Sequence, residues 1–282
     1  ISYELFPFSF KEYLKYRKVN SEDIFSTRGK NKIAAEFKHF LSSGGYPEVF
    51  NCNEEFAVKI LQSYVDIMLY RDIIERYRVS QVYVIKDMMR RLISNNACLF
   101  SINKYFNDLR SRGIKIGKNT LYDFMDYFTD AYLAFQLNKY DHSLAKQEQA
   151  LKKIYVNDTG LGAACNFSVE RNKGHLLETM IFLELKKSGL DVYYLNGNGE
   201  CDFIVRKGRK IISAIQVCYR LNDANWDREI RGLLNALKRF KLSEGHVITI
   251  DREDKIEADG KKISILPAWK WLTRKTVEKK GR

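Results

Sequence analysis

The sequence predicts a mixed α/β protein of more than one domain. Three observations carry that expectation. Residues 173–250 read as helix, three strands, helix, strand. Residues 1 to about 75 read as helical. Between them, three short helical stretches precede two apolar strands.

The last block has the sharpest pattern. Gly174 to Ser188 places Leu176, Leu177, Met180, Ile181, Leu183 and Leu185 at three- and four-residue steps, the spacing of a helix face. Glu178 lies among them, and a carboxylate there is costly to desolvate unless something pairs with it. Three strands follow, over Val192–Leu195, Cys201–Val205 and Ile211–Tyr219, joined by a Gly197-Asn198-Gly199 turn and a basic Lys207-Gly208-Arg209 turn. Simple alternation puts Asp202 and Ile204 on one face and Cys201, Phe203 and Val205 on the other. Ala214, Gln216 and Cys218 share a face of the next strand. A helix over Asn225–Phe240 and a strand over His246–Ile250 complete the unit.

This order, with an acidic helix residue, an Asp on one strand and a polar residue on the next, resembles the PD-(D/E)xK nuclease-like core. The resemblance implies a restriction-endonuclease-like α/β sheet domain over residues 158–275. It makes Asp202 the motif aspartate, a metal ligand, and Glu178 the helix carboxylate. Gln216 falls at the glutamate of E-x-K and Cys218 at its lysine. Glu178, Asp202 and Gln216 are thus the candidate catalytic set, and Asp202 with Glu178 the candidate ligands of Mg²⁺ or Mn²⁺. Gln216 and Cys218 are departures. Mg²⁺ favours carboxylate oxygens, and Gln216 offers a neutral amide. A thiol at Cys218 is no persistent cation. Arg220 shares that face but would act only electrostatically. The departures point away from nuclease activity.

The first segment contains Leu5-Phe6-Pro7-Phe8-Ser9-Phe10-Lys11-Glu12-Tyr13-Leu14, then Gly44-Gly45-Tyr46-Pro47-Glu48, then Tyr70-Arg71-Asp72-Ile73. A short helix opens at Ser9. A second, over Lys30–Leu41, places Ile33, Phe37, Phe40 and Leu41 on one face and ends at the glycine pair and proline. A long helix runs from Glu54 to about Tyr77. The three motifs resemble the helical end of the ATPase module in a large prokaryotic family of AAA-type ATPases, here over residues 1–78. The resemblance implies an ATP-binding domain ahead of Ile1, so the chain is expected to be a C-terminal fragment. ATP and Mg²⁺ are then cofactors of the full-length protein, and a homo-oligomer would form through the ATPase module. This chain has no G-x-x-x-x-G-K-[ST] loop, so no cofactor is expected in it alone. Arg71 is the nucleotide-proximal candidate, with an ion pair to Asp72 as its alternative role.

Residues 79–157 read as helices over Val84–Ser94, from Ser101 or Asn103 to Gly113, and from Lys118 to about Thr129. Tyr132–Leu137 and Lys153–Val156 read as strands, with a polar connection from Asp141 to Lys152. This is the order of a winged helix-turn-helix, and it agrees with the winged-helix region of the same ATPase family. In the DNA-binding reading, Lys115, Lys118, Asn119, Thr120 and Tyr122 face the groove and Arg110 and Arg112 the phosphates. Asp123 and Asp126 oppose close approach. The alternative is a spacer or dimerisation element.

Asp158-Thr159-Gly160-Leu161 resembles that family's D-x-G-L signature, and Asp158 suits a local cap. Beyond Ile250 the sequence predicts a charged hairpin-like loop, a strand over Lys262–Leu266 and packing roles for Trp269 and Trp271. Residues 276–282 form a basic tail.

The net charge of +13 over 282 residues favours an anionic partner, nucleic acid first. With 45% hydrophobic and 29% charged residues the chain is globular. It has no membrane-spanning apolar run, so no membrane partner is expected. The five cysteines, Cys52, Cys98, Cys165, Cys201 and Cys218, are scattered without a C-x-x-C pair, which suits a cytoplasmic setting. His39, His142, His175 and His246 show no metal-ligand spacing, although His175 is three residues before Glu178. Three functions compete: a nucleic-acid-associated ATPase fragment with a silent nuclease-like domain, a metal-dependent DNA nuclease, or a protein-interaction module.

Overall fold

A computed structural model describes residues 4–23, 26–165, 173–197 and 199–274. It is mixed α/β, with a three-stranded and a six-stranded sheet. The basic tail at 276–282 and Asn198 of the predicted turn lie outside the described residues.

Helix α1 (Phe10–Tyr16) begins in a capping box, where the Ser9 hydroxyl accepts from Glu12 N–H and the Glu12 side chain accepts from Ser9 N–H. Helix α2 (Thr27–Ser43) buries Ile33, Phe37, Phe40 and Leu41 and stops at Gly44, whose φ of 76° lies outside the helical region. Helix α3 (Glu54–Ile67) is shorter than the predicted helix. The chain continues as a π-helical stretch, Met68–Glu75, which holds Tyr70-Arg71-Asp72-Ile73. The apolar pattern persists through both, so periodicity alone does not reveal the wider turn.

The middle segment comprises α4 (Val82–Ser94), β1 (Cys98–Phe100), α5 (Ile102–Ser111), α6 (Lys118–Asp130), β2 (Ala134–Leu137), α7 (Leu144–Gln149) and β3 (Lys152–Val156). The strands pair antiparallel in the order β1-β3-β2. The sequence misses β1, only three residues long. It also reads α7 as a polar connection, although Ser143 caps that helix by accepting from Lys146 N–H.

After α8 (Thr159–Ala164) come α9 (Lys173–Lys187), β4 (Asp191–Leu195), β5 (Cys201–Lys207), β6 (Lys210–Val217), α10 (Asp223–Arg239), β7 (Glu244–Thr249), β8 (Asp254–Ala258), β9 (Lys261–Pro267) and α11 (Ala268–Thr273). The sheet order is β4-β5-β6-β7-β9-β8. The β4–β5–β6 meander is antiparallel, β6–β7 and β7–β9 are parallel, and α10 makes the crossover between β6 and β7. The expected charged loop after Ile250 contains β8, whose alternating exposure marks a sheet-edge strand.

Two apolar clusters cover the faces of the large sheet. Phe203, Val205 and Ile215 join the core formed with α9 and the first two segments. Cys201, Ile204 and Ala214 face α10 with Leu233 and Leu237. Cys201 therefore sides with Ile204, against the strict alternation expected from sequence. The register irregularity where β4 pairs with the start of β5 accounts for the change. Trp269 and Trp271 are buried packing residues.

Candidate functional site

Glu178, Asp202 and Gln216 line one cleft of about 690 Å³, with Lys153, His175, Cys98, Glu200 and Glu229. Helix α9 supplies Glu178, β5 supplies Asp202, and β6 supplies Gln216. Glu200 precedes β5, where the chain presses on α10 at Gly232. A Cβ at Gly232 would stand 2.0 Å from the Glu200 carbonyl oxygen, so glycine permits that approach.

The centre of the cluster is a residue that sequence reasoning missed. Lys153, on β3, donates from Nζ to Glu178 Oε1 at 3.1 Å and to Asp202 Oδ1 at 3.0 Å. Glu200 Oε1 lies 2.8 Å from the same nitrogen. The Tyr155 hydroxyl donates to Glu178 Oε1 at 2.6 Å, and its ring stacks on Phe182 of α9. A signal for Lys153 existed: it is two residues from the apolar Tyr155 in a strand, hence on the same inward face. What it meets there is fixed by chain folding.

The remaining polar atoms are also engaged. Asp202 Oδ2 accepts from Val217 N–H at 2.9 Å. Gln216 Oε1 accepts from Asp202 N–H at 3.2 Å, and Gln216 Nε2 donates to Glu229 Oε2 at 2.6 Å. Arg228 in turn donates to Glu229 Oε1. Gln216 thus bridges β5 and α10 rather than offering its oxygen to the point that Glu178 and Asp202 share.

Burial raises the Glu178 pKa, and the Asp202 carboxylate adds to the rise, against the pull of Lys153 and Tyr155. For Lys153, burial works to lower the pKa, but Asp202 and then Glu178 outweigh it and the net shift is upward. His175 is lowered, by burial first and by Lys153 second. Burial, then Glu178, raises Cys98, whose Sγ is 3.7 Å from His175 Nε2.

A divalent ion would need several oxygens converging with room for it. Here three carboxylate oxygens converge on an ammonium supplied by the chain, and the motif amide is turned away. Among the described residues, no group of three or more His, Cys, Asp or Glu is arranged to hold a metal. The donor set does not fit Mg²⁺ or Mn²⁺ while Lys153 is in place. Cys218 is buried beside α10, and exposed Arg220 is no part of the cleft lining.

The other candidates are spread out. Arg110, Lys115 and Thr120 line an open groove of about 810 Å³ with Gln81, Phe106 and Ile116. Lys118 and Asn119 are exposed in the first turn of α6, and Tyr122 is half-exposed. Arg112 departs from the expected phosphate-facing set. It lies 3.5 Å from Asp87 and from Asp108 and donates to the Tyr83 hydroxyl at 2.6 Å. Arg71, exposed, donates to Asp72 Oδ1 at 2.7 Å. Asp158 caps α8 by accepting from Gly160 and Leu161 N–H and also accepts from the distant Gly45 N–H.

Residues 34–171 match a family model described as a domain of unknown function (DUF8612). That match includes Lys153 and Tyr155 but not Glu178 or Asp202. The chain is similar to an uncharacterized protein of Methanocaldococcus jannaschii, at 35% identity over 280 residues. That alignment covers 95% of this chain and 62% of the relative. It is also similar to an uncharacterized protein of Haemophilus influenzae, at 26% identity over 271 residues, covering 95% of this chain and 64% of the relative. The chain therefore spans less than two thirds of either relative's length. No solved structure matches it. No helix among the described residues is long and apolar enough to cross a membrane.

Proposed function

We propose that this chain is the nucleic-acid-associated C-terminal part of an AAA-type ATPase, with a nuclease-like unit that has lost metal-dependent cleavage. One observation carries the silent-site reading. The Lys153 ammonium occupies the point shared by the Glu178 and Asp202 carboxylates, where a nuclease would hold its ion. The buried Lys153 contacts link β3 to α9 and β5. The ammonium takes up the carboxylate oxygens that would otherwise face an ion.

Element order supports the rest of the reading. The sequence α4-β1-α5-α6-β2-β3 with sheet order β1-β3-β2 suits a winged helix, with α7 in place of an extended wing. The α9-β4-β5-β6-α10-β7 order with its mixed sheet suits a nuclease-like core. Exposed Lys118, Asn119, Arg110 and Lys115 at the α5–α6 junction, with the chain's net +13 charge, favour phosphate contacts. ATP and Mg²⁺ belong to the longer protein in this reading.

The test is fluorescence anisotropy with a labelled duplex across a salt series, alongside cleavage assays with Mg²⁺ and Mn²⁺. Retention that weakens log-linearly with salt, and intact DNA in both metals, is the expected result. No retention at low salt overturns the nucleic-acid role. Metal-dependent cutting that Asp202→Ala abolishes overturns the silent site.

A further inference from the structure

We infer that the tip of the β5–β6 hairpin is a second phosphate-contacting surface, through which the nuclease-like unit holds nucleic acid away from its cleft. The inference rests on the nucleic-acid reading above and names where on this unit the contact is made.

The hairpin turns at Gly208, whose φ is 59°, with Lys207 paired to Lys210 across a two-residue loop. This is the tight connection that glycine allows at a positive φ. The tip stands clear of its neighbours. Strand β4 pairs with β5 only as far as Asp191 opposite Arg206. On the other side, β7 pairs with β6 from Ile215 onward. Residues 207–210 thus extend past the last paired residue of both flanking strands, and all four are exposed.

Three of those four residues are cations, and none of their side chains has a hydrogen bond or ion pair among the described residues. The contrast with the next cation down the strand is direct. Arg206 sits 3.0 Å from Asp191 and stacks over Tyr193. Lys238, Arg252 and Lys270 elsewhere on this unit are likewise matched to carboxylates. The tip concentrates three unmatched cations within four residues on a two-stranded support. Such a tip fits a polyanion whose charges are regularly spaced. An anionic membrane surface is the poorer fit, because among the described residues Ile212 is the one exposed large apolar side chain next to the tip.

The position also agrees with the closed cleft. Asp202 and Lys207 are five strand residues apart, roughly 16 Å at about 3.3 Å per residue. A backbone held at the tip does not pass through the Lys153 cluster.

The test uses the full chain carrying Lys207→Ala, Arg209→Ala and Lys210→Ala together, with Lys118→Ala as a comparison. Duplex affinity is measured across a salt series. Each phosphate contact contributes about 0.9 to the slope of log K against log salt. The triple variant is expected to bind at least tenfold more weakly at low salt, with a slope shallower by about 2 to 3. An unchanged slope, with wild-type affinity retained, overturns the hairpin contact while leaving the nucleic-acid reading intact. A wild-type chain that fails to bind duplex overturns both. Binding lost on phosphatidylserine vesicles but kept on duplex would reassign the tip to a lipid surface and overturn the inference. All three positions are exposed, and an unchanged far-UV spectrum separates lost contact from lost fold.

Discussion

Lys153 Nζ lies 3.0 Å from Asp202 Oδ1, joining residues 49 positions apart in the chain and two different sheets. Both groups are buried, so each charge relies on its partner for compensation. The pair therefore ties β3 to the large sheet, and Glu178 extends the tie to α9.

Removing the cation should be more damaging than removing the whole cluster. Lys153→Met leaves the Glu178 and Asp202 carboxyls buried with no cation between them, at a cost of about 3–5 kcal/mol. The triple variant Lys153→Met, Glu178→Gln, Asp202→Asn should regain a large part of that. Urea denaturation midpoints at neutral pH measure both. Equal destabilisation of single and triple variants would show that Lys153 contributes packing, not charge balance.

Restoring the motif glutamate gives a second prediction. Gln216→Glu would set a carboxylate where an amide now donates to Glu229 at 2.6 Å. The exchange replaces a hydrogen bond by repulsion between buried acids, at a cost of roughly 2 kcal/mol or more. The variant should be less stable than wild type and still fail to cut DNA in Mg²⁺ or Mn²⁺. Acquired cleavage would mean that Gln216 alone silences the site, and would sink the role given to Lys153.

These two predictions show what was legible in the sequence. Helical spacing around Glu178 and alternation around Asp202 marked both residues and the elements that carry them. The expectation that a buried Glu178 must be paired was legible too, since it follows from desolvation alone. The partner was not. Alternation with Tyr155 puts Lys153 on the inward face of a short strand, but only the packing of β3 on α9 sets what it meets there. Cys201 was assigned to the wrong face because a register irregularity leaves no mark in apolar alternation. Strand β1 and helix α7 fell below the length at which periodicity is readable.

The glycine pair at the end of α2 explains a third prediction. Asp158 accepts from three backbone N–H groups, those of Gly45 at 2.7 Å, Gly160 at 2.8 Å and Leu161 at 3.1 Å. A Cβ at Gly45 would lie 2.4 Å from the Phe8 carbonyl oxygen, which is backbone and cannot swing aside. The motif thus joins the first segment to α8. Asp158→Ala should destabilise by roughly 3 kcal/mol or more, because buried donors lose their acceptor. Asp158→Asn, which keeps one acceptor oxygen, should cost less. Chemical denaturation ranks the two, and equal stability of Asp158→Ala and wild type would dismiss the junction.

The last prediction concerns pH. His246 on β7 has its Nδ1 buried without a partner among the described residues. Burial lowers its pKa from the ordinary 6.5, Arg274 lowers it further, and Glu244 opposes. The folded chain therefore takes up this proton less readily than the unfolded chain. Stability from this site is complete above the unfolded value and is lost as pH falls below about 6.5 toward the folded value. Glu178 and Asp158, whose pKa values are raised chiefly by burial, act in the opposite sense, so the wild-type curve alone does not isolate the histidine. The difference between wild type and His246→Gln does. Thermal midpoints measured from pH 7.5 to 5.5 should show the variant gaining on wild type steadily as pH falls. Parallel curves across that range would mean that His246 takes up its proton as freely folded as unfolded.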